Sequence, residues 1–294
     1  MRIILNEKEY AERCLREKDV GESAKFALSL IAKYDYYELG YRKQRIEKHL
    51  TQFIKEAYPA YQRDIAGWTS TIEEIARRAG KYPLYIIHGV LITQSEIDAI
   101  NNATIDGEPL NKKLRQLAFT YLCLAKLGKI KNPENDGWVK YKRKDIFTMA
   151  HITASDVQKS EMIGDLALAG LLAFPRNDAN LSRRVTFIDD DSKIVLEVTD
   201  FRDLGYLFLQ QIGENIIACK RCGNLTRGNK AGTKKYCKDC AGYVPQEYKI
   251  ITCADCGRTV RVSAKNTKTC RCDNCQREHR RAYDRERKKI PHSN

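Results

Sequence analysis

Eight of the cysteines in this chain form four Cys-x-x-Cys pairs near its C-terminal end, and thiolates at this spacing are common ligands of structural zinc. The pairs are Cys219/Cys222, Cys237/Cys240, Cys253/Cys256 and Cys272/Cys275. Fourteen residues separate the first two pairs and 15 separate the last two, which is close to the spacing of a zinc ribbon. Each pair brings two thiolates to one side of a tight turn, and the next pair completes a tetrahedron. The sequence therefore predicts two structural Zn²⁺ ions.

Two other interpretations of these cysteines fit the sequence less well. A disulfide scaffold is typical of exported proteins, and the opening residues, MRIILNEKEY, contain no apolar signal stretch. A redox pair would require a βαβ pattern, whereas these pairs lie in polar sequence rich in Gly and Lys. Cys270 is an alternative ligand to Cys272, and His279 is a weaker substitute. Cys14 and Cys123 lie in apolar helical patterns, which predicts small buried side chains.

The positive charge of the chain is concentrated in this cysteine-rich region. The formal net charge is +14, but residues 1–218 contain 32 Lys/Arg and 31 Asp/Glu, whereas residues 219–294 contain 20 and 7. Four thiolates around one Zn²⁺ carry a formal charge of −2, so two filled sites would lower the +13 of the tail to about +9. A cationic segment of this density is typical of proteins that bind a polyanion, most often nucleic acid.

The first hundred residues have the apolar periodicity of short amphipathic helices, for example in EKEYAERCLREK, ESAKFALSLIAK and YRKQRIEKHLTQFIKEAY. Ser70 with Glu73, and Thr93 with Glu96, have the spacing of capping boxes that begin further helices. We therefore predict a helical N-terminal domain over residues 1–108.

The middle region, residues 109–214, has the element order of a winged helix-turn-helix. Pro109 is predicted to open a long helix, and a short strand (WVKYK), two helices (KDIFTMAH and SDVQKSEMIGDLALAGLLA) and a hairpin of RRVTFI and KIVLEV follow. The acidic turn DDDS would be the solvated tip of that hairpin. The second of the two helices would then lie in a DNA major groove. Its acidic residues weaken that interpretation, and docking to a protein is the alternative. The candidate contacts are Thr153, Gln158 and Lys159 on the helix and Arg183 and Arg184 at the wing.

The tail is predicted to form zinc ribbon 1 (residues 215–252) and zinc ribbon 2 with a basic C-terminal helix (residues 253–294). The two ribbons have the same plan, CKRCG…YCKDC and CADCG…RCDNC, which indicates a tandem repeat. Their cations would contact the phosphate backbone and supply affinity without sequence specificity. The candidate residues are Lys230, Lys234, Lys235, Arg258, Arg261, Lys265, Lys268, Arg277, Arg280, Arg281, Arg285, Arg287 and Lys288. The fold class is thus mainly α with small β elements.

Several segments carry a resemblance to a known family: WVKYKRKDIF, MIGDLALAGLLAF, FRDLG, and YCKDC followed by REHRRAYDRERKK. Together they resemble a largely uncharacterised family of proteins from phages and mobile elements of Gram-positive bacteria. In that family a helical front end precedes C-terminal CxxC knuckles and a basic helix. The resemblance implies a phage or mobile-element origin and a cytoplasmic location in a bacterial host cell, and it implies no particular activity.

Three classes of function follow from these observations. The first is a zinc-stabilised nucleic-acid-binding protein that regulates transcription or replication. The alternative is a phage-encoded inhibitor or adaptor that binds a host ribonucleoprotein, polymerase or defence complex. A nuclease is the third, but the sequence contains no Walker A loop, GxGxxG, HExxH or GxSxG motif, so we expect no enzyme and no catalytic residues. No apolar run approaches the length of a membrane span, and no membrane association is expected.

Overall fold

The computed structural model describes residues 3–21, 23–175, 182–241, 248–263 and 269–287. The chain forms two compact units, Met1–Ile216 and Ile217–Asn294. The described residues are mainly helical and carry small antiparallel sheets, so the predicted mainly α class with small β elements is confirmed.

The first unit contains most of the regular structure. Its helices are α1 (Glu7–Glu17), α2 (Ala24–Tyr37), α3 (Lys43–Ala57), a 3₁₀ helix (Pro59–Arg63), α4 (Ile65–Arg78), α5 (Gln94–Asn102), α6 (Lys112–Lys131), α7 (Arg143–Met149), α8 (Asp156–Leu168) and α9 (Leu204–Gln211). Its strands are β1 (Val90–Thr93), β2 (Thr104–Ile105), β3 (Glu108–Pro109), β4 (Trp138–Val139), β5 (Leu172–Ala173), β6 (Arg183–Val185) and β7 (Ile194–Val198).

Helices α1 to α4 pack around one apolar core. Leu28 and Ile31 of α2 and Ile46, Leu50 and Ile54 of α3 are completely buried there. The three residues of α3 are spaced by four, which places them on one face of the helix, as its periodicity predicted. Burial of these side chains contributes about 1.5–3 kcal/mol each to the stability of the unit.

Helix α6 is the central element of the rest of the first unit. Every residue from Gln116 to Leu127 is buried, because other elements pack on several sides of the helix. Phe119 of α6 contacts Phe208 of α9, with ring centroids 5.4 Å apart. Asn111 caps the helix by accepting a hydrogen bond from the backbone N–H of Leu114 at 3.1 Å. The helix therefore begins after Pro109, which lies in β3.

The predicted hairpin of RRVTFI and KIVLEV is wrong. Strand β7 pairs in antiparallel fashion with β1, with Val90 opposite Val198, so segments on either side of residue 108 share one sheet. Strand β6 lies instead between β4 and β5 in a three-stranded antiparallel sheet. The pairing with β1 joins segments that are far apart in the chain, which no local pattern in the sequence reveals.

The acidic run between β6 and β7 is docked on the first unit, and the prediction of a solvated hairpin tip is wrong. The Asp189 carboxylate accepts a 2.6 Å hydrogen bond from the Ser95 hydroxyl, which is the main reason that its pKa is lowered. Asp190 lies 3.0 Å from the Nζ atom of Lys126 and 2.7 Å from that of Lys129. The hydrogen bond from Lys129 is the chief cause of the lowered pKa of Asp190. Glu96 of α5 lies 2.7 Å from Lys126 Nζ on the buried side.

The described part of the second unit consists of two short β-hairpins and two helices. Its elements are β8 (Ile216–Ala218), β9 (Leu225–Arg227), α10 (Lys238–Ala241), β10 (Tyr248–Thr252), β11 (Thr259–Ser263) and α11 (Asp273–Arg287). Strands β8 and β9 form one two-stranded sheet, and β10 and β11 form another. The cysteine pairs lie at the ends of these elements.

Candidate metal centres and basic surface

The first cysteine cluster brings together Cys219, Cys222, Cys237 and Cys240. Their sulfur atoms all lie within 4.8 Å of one another, and the Sγ atoms of Cys222 and Cys237 are 3.8 Å apart. The first pair occupies the turn between β8 and β9, and the second pair lies at the start of α10 and within it. The structure therefore assembles the four residues that the sequence predicted.

The turn after Cys219 holds its sulfur in place through backbone hydrogen bonds. The Gly223 N–H donates to the Cys219 carbonyl at 2.9 Å, and the Cys219 N–H donates to the Asn224 carbonyl at 2.9 Å. Gly223 has a φ of 73°, a left-handed conformation that favours glycine. The Lys220 N–H donates to the Lys235 carbonyl at 3.0 Å and so links the two cysteine pairs.

The second cluster, which begins at Cys253, has the same construction. The sulfur atoms of Cys253, Cys256, Cys272 and Cys275 lie within 4.8 Å of one another, and those of Cys256 and Cys272 are 3.7 Å apart. Gly257, with a φ of 68°, donates its N–H to the Cys253 carbonyl at 3.0 Å.

The link between the two pairs of the second cluster is also repeated. The Cys253 N–H donates to the Arg258 carbonyl at 2.8 Å, and the Ala254 N–H donates to the Cys270 carbonyl at 2.9 Å. These bonds have the same pattern as those around Cys219 and Lys220. A 2.8 Å ion pair between Asp255 and Arg271 adds a side-chain contact across the cluster.

Both clusters have the dimensions of a tetrahedral zinc site. Zinc–sulfur bonds of about 2.3 Å place the sulfurs of a tetrahedron about 3.8 Å apart, which matches the two sulfur separations above. A disulfide would require about 2.05 Å, and all of these cysteines are free thiols. Four protein ligands complete the coordination of zinc and leave no position for substrate, as in structural sites. The clusters are thus compatible with two structural zinc ions.

Backbone N–H groups favour the thiolate form of the first cysteine of each cluster. Donation from the Cys237 N–H is the main cause that lowers the pKa of Cys219 to about 6. Donation from the Cys256 and Cys272 N–H groups lowers the pKa of Cys253 to about 6. The pKa of Cys240 is raised to about 12, because its thiol is hydrogen-bonded to Cys237.

Cys270 and His279, the alternative ligands, lie outside the second cluster. Cys270 is exposed, and its carbonyl oxygen, not its sulfur, is used in the bond from Ala254. His279 lies on α11, where its side chain is exposed. The cluster is completed by Cys272, as the sequence predicted.

The predicted cations of the second unit are mostly exposed. Lys234 is the exception, because its Nζ donates to the Arg227 carbonyl at 2.7 Å and to the Thr226 hydroxyl at 3.2 Å. Arg261 and Arg287 are described only by their backbone, in β11 and at the end of α11, and Lys265, Lys268 and Lys288 lie outside the described residues. The exposed candidates are Lys230, Lys235, Arg258, Arg277, Arg280, Arg281 and Arg285.

The predicted contacts on α8 are largely engaged within the helix itself. The Gln158 side chain accepts a 2.9 Å hydrogen bond from the Ser155 N–H and so completes a capping box. The Lys159 ammonium lies 3.1 Å from the carboxylate of Asp156. Thr153 is exposed just before the helix.

Arg183 and Arg184 of β6 also have partners within the first unit. The Arg184 guanidinium forms an ion pair with Asp136. The Arg183 guanidinium lies over the ring of Phe174, 4.6 Å from its centroid, and donates to the Ser182 carbonyl at 2.8 Å.

Two residues of the basic surface did not emerge from the sequence. Tyr283 of α11 and Arg271, just before that helix, line the same cavity. Tyr283 follows Arg280 by three residues, and that helical spacing is the signal that could have identified it.

Comparison of the chain with models of protein families, with curated proteins and with solved structures gave no match. Within the described ranges, no helix combines the length and apolar character that a membrane span requires.

Proposed function

We propose that this chain is a zinc-stabilised nucleic-acid-binding protein of a phage or mobile element that regulates transcription or replication. The observation that carries the proposal is the charge of the second unit. Residues 219–294 have a net charge of +13, which two filled zinc sites would reduce to about +9. Zinc would fix the short elements of this unit, which contain few apolar residues, so that exposed cations are presented to a phosphate backbone.

A winged-helix architecture for residues 112–185 is part of this proposal. The chain order is α6, β4, α7, α8, β5, β6, and β6 lies between β4 and β5 in the sheet. A winged helix has the same order of elements and the same central position for its last strand. The wing would then be the connection from β5 to β6, and not the connection from β6 to β7 that the sequence suggested.

The salt dependence of binding tests the nucleic-acid proposal. We expect the logarithm of the affinity for a 30-base-pair duplex to fall linearly with the logarithm of the salt concentration, by about 0.9 per phosphate contact. Replacement of four exposed arginines of α11 by glutamine should reduce this slope by about 3 to 4 and weaken binding at least about tenfold. Fluorescence anisotropy between 50 and 300 mM salt measures both quantities. The four residues are Arg277, Arg280, Arg281 and Arg285.

A matched variant removes four exposed cations from the first unit. It should bind as the unmodified protein does, because these residues lie outside the proposed surface. An absence of binding at 50 mM salt, or an equal loss in both variants, contradicts the proposal. The four control positions are Lys25, Lys48, Lys55 and Arg63.

The composition of α8 favours a second candidate function, that of an adaptor which docks on a host protein complex. Asp156, Glu161 and Asp165 outnumber Lys159 on this helix, and phosphates would repel it from a DNA groove. Val157 and Leu168, on the same helix, are 69% and 77% exposed. An acidic helix with exposed apolar side chains fits a basic protein surface better than a nucleic acid.

Two variants of α8 separate groove binding from protein docking. In a Glu161→Gln/Asp165→Asn variant, duplex affinity should increase at least about tenfold if α8 lies in a groove, because two phosphate repulsions are removed. It should stay within about twofold if α8 docks on protein. Leu168→Glu should then abolish capture of a host protein from nuclease-treated extract that the unmodified chain retains. Capture that survives this substitution contradicts docking through α8.

An enzymatic function has less support from the structure. His151 and Asp203 form a histidine–carboxylate pair near α8, with 2.6 Å between His151 Nε2 and the carboxylate. The ring of His151 stacks on Tyr206 at 3.8 Å. This nitrogen is therefore engaged and one ring face is covered, as in a structural contact between the end of α7 and α9.

A further inference from the structure

A cavity of about 410 Å³ lies between the segment that precedes α11 and one face of that helix. Its volume is within the range of about 300–1,000 Å³ that is usual for small-molecule sites. Gln276, His279, Arg280 and Tyr283 line it from positions spaced by three and four along α11, and Arg271 lines it from the preceding segment. The cavity is therefore a feature of one helix face and its own N-terminal approach.

Among the described residues, the lining of this cavity is cationic and contains no carboxylate. Arg271, Arg277 and Arg280 all contribute to it, whereas the acidic residues Glu278 and Asp284 line a separate cavity on the other face of α11. Arg277 donates to Asn274 at 2.6 Å, which fixes its guanidinium at the helix start. In the part of the chain that the structure describes, Arg280 forms no ion pair with a carboxylate. The charges of α11 are thus sorted between its two faces.

An aromatic ring is exposed within this cationic face. Tyr283 is 60% exposed and lines the cavity together with the three arginines. An exposed aromatic ring flanked by arginines is the arrangement by which single-stranded nucleic acids are bound, because an unpaired base stacks on the ring and guanidinium groups hold the adjacent phosphates. In a duplex the bases are already stacked and their faces are unavailable to such a ring.

We propose that Tyr283 stacks one unpaired base while Arg271, Arg277 and Arg280 hold the neighbouring phosphates, so that the protein prefers single-stranded over duplex nucleic acid. The inference rests on the proposed nucleic-acid-binding function and names the form of nucleic acid that the second unit takes. The arginines supply attraction to either form, and the tyrosine supplies the preference for the single strand.

The test compares four 12-nucleotide probes by fluorescence anisotropy at one salt concentration with the zinc-loaded full chain. The probes are single-stranded DNA, single-stranded RNA, a DNA duplex, and a DNA strand of the same length whose central six positions are abasic. Tyr283→Ala should weaken binding of both single strands about tenfold, which corresponds to about 1.4 kcal/mol. It should leave the duplex and the abasic strand within about twofold. Tyr283→Phe should bind as the unmodified protein does.

The outcomes distinguish this inference from the function on which it rests. Failure of every probe to bind at 50 mM salt overturns the proposed function. Binding that is equally tight for duplex and single strand, or an equal loss on all probes in Tyr283→Ala, overturns the role of Tyr283 alone. Zinc content of two ions per chain in the variant shows that the second unit is intact. Alanine is a good helix former, and the substitution lies at an exposed helical position.

Discussion

Replacing Cys272 by serine lowers the bound zinc from two ions to one per chain and unfolds the second ribbon. The reason is that Cys272 Sγ is one corner of the second cluster, 3.7 Å from Cys256 Sγ, and that the ribbon has little apolar core of its own. Structural zinc contributes about 10–16 kcal/mol of apparent binding free energy in zinc-finger peptides. Elemental analysis of zinc and hydrogen exchange of β10 and β11 measure the two effects.

Cys270 provides a matched control two residues away. Cys270→Ser removes the same atom from an exposed side chain, and the backbone carbonyl that accepts from Ala254 remains. We expect two zinc ions per chain and unchanged exchange in β10 and β11. If Cys270→Ser loses zinc and Cys272→Ser retains it, the assignment of the fourth ligand is wrong.

Replacing Lys126 by methionine should destabilise the first unit by about 3–5 kcal/mol. The Lys126 side chain is 7% exposed, and its ammonium pairs with the fully buried carboxylate of Glu96 at 2.7 Å and with Asp190 at 3.0 Å. Methionine keeps the apolar stem but leaves the Glu96 charge buried without its partner. Urea unfolding of the full chain, followed by the fluorescence of Trp68 and Trp138 in the first unit, measures the loss.

Lys129→Met is the control for this prediction. Lys129 is about half exposed and pairs with the same Asp190 at 2.7 Å, so that solvent screens the pair and its removal should cost less than about 1 kcal/mol. A loss below about 1 kcal/mol for Lys126→Met would show that the buried pair does not stabilise the unit. Equal large losses in both variants would assign the effect to Asp190 instead.

The cysteine clusters were predictable from the sequence because ligand spacing is local. The two thiolates of each Cys-x-x-Cys pair share one turn, and the short segment between pairs suffices for one hairpin. The sequence did not identify Tyr283 and Arg271 as neighbours, because their contact with one cavity depends on how the chain enters α11. Charge counting found the basic region but not how its charges are sorted between the faces of that helix.

Helix starts show why equal local signals can have different outcomes. Thr93 and Glu96 form the predicted capping box of α5. The pair Ser70 and Glu73 has the same spacing, yet both residues lie inside α4, which begins at Ile65. Asp64 accepts the backbone N–H of Gly67 at 2.9 Å and starts that helix earlier, so the second signal has no free N–H groups to satisfy.

Strand pairing was the least predictable feature of the fold. The segments RRVTFI and KIVLEV are close in sequence and have the pattern of a hairpin, but each finds a partner elsewhere. Thr93 donates its hydroxyl to the Asp189 carbonyl at 2.9 Å and thereby helps to hold the intervening acidic turn against α5. Contacts of this kind depend on the assembled unit, and the turn that seemed to be a solvated tip is fixed by them.

The repeated backbone bonds around Cys219 and Cys253 have an evolutionary consequence. Corresponding N–H groups and carbonyls pair in the same order in both ribbons, and a left-handed glycine follows each turn. Duplication of an ancestral ribbon within the gene accounts for this correspondence more simply than two separate origins. After such an event one copy preserves the ancestral role while its sibling diverges, and in the described structure only the descendant that begins at Cys253 carries a long arginine-bearing helix.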